Sequence, residues 1–347
     1  MKNMIRVFLP LVAIILFVRF YFSNLPVMKP AGNYPVWLKD SAGNQTRQTS
    51  GLCFTGSDGN VKRFISCDDI GVVNRLEIDE SGNEPRVRIY PVEYSQQIRD
   101  LFAKFKKTDM EEIMYVPQNN RILLSIEGHE YSSNDPMIYR QKEGIYELTF
   151  NRDISSFDTL LTIKRLALPE EVYKFTFDNI GFEGFSATKD FFYIGLENYQ
   201  KDNEQFTDST FLYVVNRRSG SVKAISTKEH EVSSISGLYA ADDLTLYGID
   251  RNRRIMFMLK FDDDHNIVSS ERKALELVVH GFRDMTNIPG SAPESITMDD
   301  RGSFYVAIDP WLAFYRPDLA QRKLLGEEEE FNFKKEIPIM YKFNNEF

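Results

Sequence analysis

The sequence predicts an all-β fold, a β-propeller of five blades, on three observations. A short pattern recurs five times along the 347 residues, at intervals of roughly 50–70 residues, and self-similarity at such a period marks solenoids, propellers or arrays. Each copy opens with Ser or Glu (Ser50, Glu111, Glu183, Ser236, Glu294), runs on through short segments rich in Phe, Tyr, Ile, Leu and Val, and breaks at Asp, Asn, Gly or Lys turns, which is strand and hairpin chemistry. Third and fourth apolar runs follow most copies, and four short antiparallel strands per radial unit is the propeller plan.

At the N-terminus, Lys2 and Arg6 precede the apolar run Val7 to Val18, which Arg19 interrupts. That run has signal-peptide length. A span needs about 20 apolar residues, reached here only if the run continues to Phe22 with Arg19 snorkelling to the interface. Residues 1–25 are therefore expected to be an apolar helix serving as signal peptide or membrane anchor. Residues 26–347 form a single propeller domain, exported to the periplasm or cell envelope.

In blade one the runs are SGLCF, KRFISC, VVNRLEI and RVRIYPV. Gln96 to Lys107 follows, with Ile98, Leu101, Phe102 and Phe105 at helical spacing, so a helical insertion is expected at about 95–107. Blades two to four repeat the pattern from Glu111, Glu183 and Ser236, although the fourth strand after His265 is weak. The last unit has a third run at IPIMYKF and then the chain ends. Its outer strand is expected from Tyr34 to Lys39, closing the ring with both termini; a degenerate sixth blade is the alternative. Arg251 to Arg254 reads as a hairpin turn, Asp262 to Asn266 as a turn, and Glu327 to Glu330 as a solvated loop. Cys53 and Cys67 fall on one hairpin, either as a disulfide or as two buried thiols.

The 42 basic and 51 acidic residues give a net charge of −9, with no basic cluster, which argues against a nucleic-acid partner. No nucleophile elbow, phosphate-binding loop or zinc-protease motif occurs. Two columns of the repeat nevertheless carry polar groups that a core would reject. The opening column is Ser50, Glu111, Glu183, Ser236 and Glu294; the closing column is Asp68, Glu127, Glu197, Asp250 and Asp309. In a propeller both columns converge on one rim. Crowded carboxylates repel and resist burial unpaired, so they either accept backbone N–H bonds as structural links or hold a cation. Many hard oxygens favour Ca²⁺, and with four His a Zn²⁺ or Fe²⁺ site is disfavoured. The expected metal ligands are Glu111, Glu183, Glu294, Asn179, Asp250 and Asp309, with Asp109 adding oxygen at the same rim.

The segments DMEEIMYVPQNNRILLSIEG, GFEGFSATKDFFYIGLEN and APESITMDDRGSFYVAIDP resemble the propeller family described as esterase-like phytase or SdiA-regulated. Funnel-shaped calcium-dependent propellers related to it place a divalent metal on the axis through an opening Glu, which implies Glu111, Glu183 and Glu294. The chain departs from the pattern at Ser50, Ser236 and Glu112. Two functions stay open. One is a binding or scaffold module with a central Ca²⁺ that presents its mouth to a protein, glycan or small phosphoester. The other is a calcium-dependent hydrolase of phosphoesters, esters or lactones, with Asp109 or Glu127 as base.

Overall fold

A computed structural model describes residues 25–130, 136–201, 205–279, 292–309 and 317–347; for 136–137, 200–201, 205–206 and 309 only the backbone is described. The five repeats are five antiparallel sheets. Their innermost strands are Thr49–Asp58, Asp109–Val116, Phe182–Ala187, Gly237–Ala240 and Ala292–Met298, and the second strands are Val61–Asp68, Arg121–Glu127, Phe191–Leu196, Thr245–Asp250 and Phe304–Asp309. Each innermost strand touches the next, and the fifth touches the first. The ring is closed and has five blades.

Closure follows the sequence expectation. Val36–Trp37 pairs antiparallel with Ile339–Phe343, so the N-terminal region supplies the outer strand of blade 5. Two edge strands were not legible. Val27–Met28 adds parallel to the outer strand of blade 4, and Glu93–Tyr94 adds parallel to that of blade 2. Two residues carry no periodicity from which a strand could be read. The helix after blade 1 spans Gln96–Phe102, with the Ser95 hydroxyl accepting from the Ile98 N–H. The expected N-terminal helix lies outside the described residues, and no described helix is long and apolar enough to cross a membrane.

The apolar core is five wedges, one between each pair of neighbouring blades. Strand alternation builds them. On one strand of blade 3, Phe192 and Ile194 face blade 2 while Tyr193 faces blade 4. Burial on both faces turns these strands into nearly continuous apolar runs instead of alternating ones. Near the axis the strands crowd closely, and the residue after the opening position is Gly or Ser in four blades. A Cβ at Gly51 would lie 2.7 Å from the Ile113 nitrogen and 2.8 Å from the Glu112 Cα, and one at Gly237 would lie 2.6 Å from the Glu294 carbonyl oxygen.

Three local expectations change or resolve. Glu327 to Glu330 is the first turn of the helix Glu327–Lys334, not a loop; carboxylates there complement the positive end of the helix dipole. Arg251 to Arg254 is a turn, as read. Cys53 and Cys67 are separate thiols, with the Cys53 sulfur accepting from the Tyr115 N–H at 3.3 Å.

Candidate functional site at the propeller mouth

The opening column reaches the mouth through a backbone irregularity repeated in four blades. Register skips a residue between Thr49 and Gly51, Met110 and Glu112, Phe182 and Gly184, and Pro293 and Ser295. The skipped residues are Ser50, Glu111, Glu183 and Glu294. A bulge of this kind frees one residue from the ladder and re-aims its side chain, here out of the blade and onto the rim.

On the side of blades 1 and 2, carboxylate oxygens of Asp69, Asp109 and Glu111 lie within 4.8 Å of one another. The Ser50 hydroxyl donates to Asp69. Lys107 pairs with Asp109 at 2.5 Å and with Asp69 at 3.3 Å, and His129 Nδ1 lies 2.8 Å from the other Asp109 oxygen. Glu111 differs from both. Only 9 % of it is exposed, and among the described residues no group donates a hydrogen bond to its carboxylate or forms an ion pair with it. Burial, with repulsion from Asp69 and Asp109, pushes its carboxyl well above the ordinary range.

Where blade 2 meets blade 3, oxygens of Glu127, Glu183 and Glu197 also lie within 4.8 Å of one another. Here one cation is central. Arg251 pairs with Glu183 at 3.2 Å, with Glu294 at 3.1 Å, and with Glu197. Burial opposes its charge, but Glu183 and Glu294 raise its affinity for the proton. Burial lifts the Glu183 carboxyl to about 7 and the Glu294 carboxyl to about 8, with Arg251 opposing the rise in each. Glu127 accepts from the Gly181 N–H at 2.5 Å; burial, then Asp109 and Glu183, hold its carboxyl well above the usual range.

The two sequence columns therefore divide. Glu111, Glu183 and Glu294 come together at the mouth, as do Glu127 and Asp109. Asp250 instead accepts from the Ser233 N–H at 2.6 Å, the Ser233 hydroxyl and the Arg253 N–H. Asp68 accepts from the Arg47 N–H at 3.1 Å. Both act as links between loops. Asn179 is exposed in a left-handed turn with φ 62°, its N–H donating to the Gly128 carbonyl. Asp309 ends its strand, and its side chain lies outside the described residues. Below the rim, Glu112 fills the position that is Gly or Ser in the other blades and accepts from the Leu52 and Ile113 N–H groups at 3.3 and 3.2 Å, joining blades 1 and 2.

Sequence reading missed Asp69, Lys107, His129 and Arg251. Asp69 and Arg251 each directly follow a closing acid, Asp68 and Asp250. In both blades the strand-end acid serves its loop while the next residue enters the mouth. That offset is visible in the sequence only once the two roles are known.

No family model and no curated protein matches the chain. Solved structures resemble it at low identity. The PQQ-bound aldose sugar dehydrogenase of Streptomyces coelicolor is 10 % identical over 91 % of this chain and 99 % of that one, with a TM-score of 0.42. The xylose complex of the GH43_1 enzyme of Xanthomonas citri is 10 % identical over 81 % and 86 %, with a TM-score of 0.45. The vanadate complex of Pseudomonas fluorescens PhoX is 9 % identical over 66 % and 53 %, with a TM-score of 0.35. At these values the fold rests on this chain's own strand topology. The resemblance drawn from the sequence stands at the level of β-propeller, and none of these activities transfers.

Proposed function

We propose that the chain is an exported β-propeller whose mouth holds a divalent cation, Ca²⁺ by ligand chemistry, and presents that mouth as a binding surface. One observation carries the reading: Glu111 is a buried carboxylate without a hydrogen-bond donor or direct ion pair among the described residues, set beside Asp69 and Asp109. Burying such a group unpaired is unfavourable by several kcal/mol, and a cation supplies what the protein withholds. The donor set fits. It consists of carboxylate oxygens, the ligands of a hard cation that tolerates loose geometry. Lys107 and Arg251 pair directly with the flanking acids and act on Glu111 only through longer-range attraction, which leaves Glu111 as the anchoring position.

Calorimetric titration of chelator-treated protein tests this. Ca²⁺ is expected to bind at about one ion per chain and more tightly than Mg²⁺, and Glu111→Gln is expected to abolish binding while the fold survives. Undiminished binding by the variant contradicts the assignment.

A hydrolytic reading rests on a second observation, the Asp109 contact that orients the His129 ring beside the same acids, an arrangement suited to proton transfer. It expects turnover of simple aryl esters or phosphoesters that requires Ca²⁺ and is lost in His129→Asn. Absence of turnover in the parent leaves the binding module.

A further inference from the structure

Blade 5 carries a surface that the mouth does not use. Between its second and third strands lie two helices, Leu319–Arg322 and Glu327–Lys334. Leu319 is 76 % exposed, Leu324 59 % and Phe331 53 %. Among the described large apolar residues, only Val268 besides these three is more than half exposed. Arg322, Lys323, Lys334 and Lys335 are exposed around these three, and the Lys335 ammonium lies 5.9 Å from the Phe331 ring. Three bare apolar groups on one short insertion, among basic residues, mark a candidate interaction surface.

The surface is held rigidly from behind. Phe333 is buried and meets Trp37 edge-on at 5.1 Å. Lys39 pairs with Glu328 at 2.8 Å and donates to Asn332 at 2.9 Å. The second helix therefore sits on the strand formed by the N-terminal region, in the sector where the chain enters the ring: Val27–Met28 lies on blade 4 and Val36–Trp37 on blade 5.

Chain length identifies the occupant. An anchor has to run on to Phe22, and the first strand begins at Val27. That stretch, fully extended, reaches about 17 Å, less than the radius of a domain this size. A propeller tethered so closely keeps its blade 4–5 edge against the membrane. We propose that Leu319, Leu324 and Phe331 form a second membrane contact, seated in the interfacial layer of the bilayer that the N-terminal run enters. The inference rests on retention of that run as an anchor. Exposed Glu327, Glu328 and Glu330 on the same insertion oppose anionic headgroups. The contact is therefore apolar, and it persists at high salt, where electrostatic adsorption is screened.

The test uses the full chain reconstituted in phosphatidylethanolamine–phosphatidylglycerol vesicles, with and without acyl-brominated lipid. A tryptophan is added by Leu324→Trp, or by Leu161→Trp on the outer strand of blade 2 across the ring as control. The emission added at position 324 is expected to be lost in brominated vesicles at low and high salt, while that at 161 is retained. Equal emission at both sites in vesicles that carry the chain overturns the contact and leaves the anchor standing. Failure of the chain to float with vesicles overturns both. Both substituted positions are exposed in the parent, so the fold tolerates the added ring.

Discussion

The mouth and the seam between blades 5 and 1 both bury ionisable side chains, and they treat them in opposite ways. At the seam the charges that the described residues bury are paired. Lys62 pairs with Asp299 at 2.8 Å, with both side chains essentially inaccessible, and with Asp300 at 3.0 Å. Glu80 accepts from Lys342 at 2.8 Å, Tyr34 at 2.9 Å and Tyr305 at 3.2 Å. These contacts fasten the N-terminal segment and blade 1 to blade 5 where the ring closes. At the mouth, carboxylates outnumber cations, and among the described residues Glu111 is left without a hydrogen-bond donor or direct ion pair. Matched burial is what a structural joint requires. Mismatched burial, set up by a backbone bulge in four blades, is what the proposed cation site would require.

Breaking the seam gives the largest expected effect. Lys62→Met leaves Asp299 buried and uncompensated and is expected to destabilise the fold by about 3–5 kcal/mol, read by urea unfolding, with no rescue by Ca²⁺. Arg251→Met strips the counter-ion from Glu183, Glu197 and Glu294. Arg251 is partly exposed, so the expected loss is smaller, about 2 kcal/mol, and added Ca²⁺ recovers it. Rescue at the mouth but not at the seam is the outcome that separates the two regions.

Acidity sharpens the same contrast because the signs differ. Burial raises the Glu183 and Glu294 carboxyls to about 7 and about 8 from 4.5. The folded state therefore binds more protons than the unfolded one between pH 4.5 and 8, and stability falls as pH rises through that window. Asp299 behaves in reverse. Burial works against its charge, but Lys62 and backbone donors outweigh it and hold its carboxyl below 3.8. Its contribution is present above that value and is lost on acidification. Thermal unfolding without divalent cations is expected to show a melting temperature that declines from pH 5 to pH 8. Saturating Ca²⁺ flattens the decline.

Much of the architecture was legible because it follows from repetition. The five openings, the turn residues and the ring-closing segment from Tyr34 to Lys39 needed only strand patterning. The site was legible in part. Glu111, Glu183 and Glu294 stand out because acids do not belong at the start of an inner strand. Asp250, from the closing column, converges on the same rim yet serves its own turn, since Ser233 and Arg253 lie where its carboxylate can bond them. Arg251 looked like turn surface, and its inward path is set by three carboxylates that come from other parts of the chain. Pairing between distant side chains is a property of the ring, and no local pattern encodes it.

Whether Glu111 awaits a cation is tested most directly by anomalous scattering from a Ca²⁺-soaked crystal of the protein. A single strong peak is expected among the Asp69, Asp109 and Glu111 carboxylates, absent from a Glu111→Gln crystal. A peak confined to Glu127, Glu183 and Glu197, or an equal peak in the variant, would contradict it.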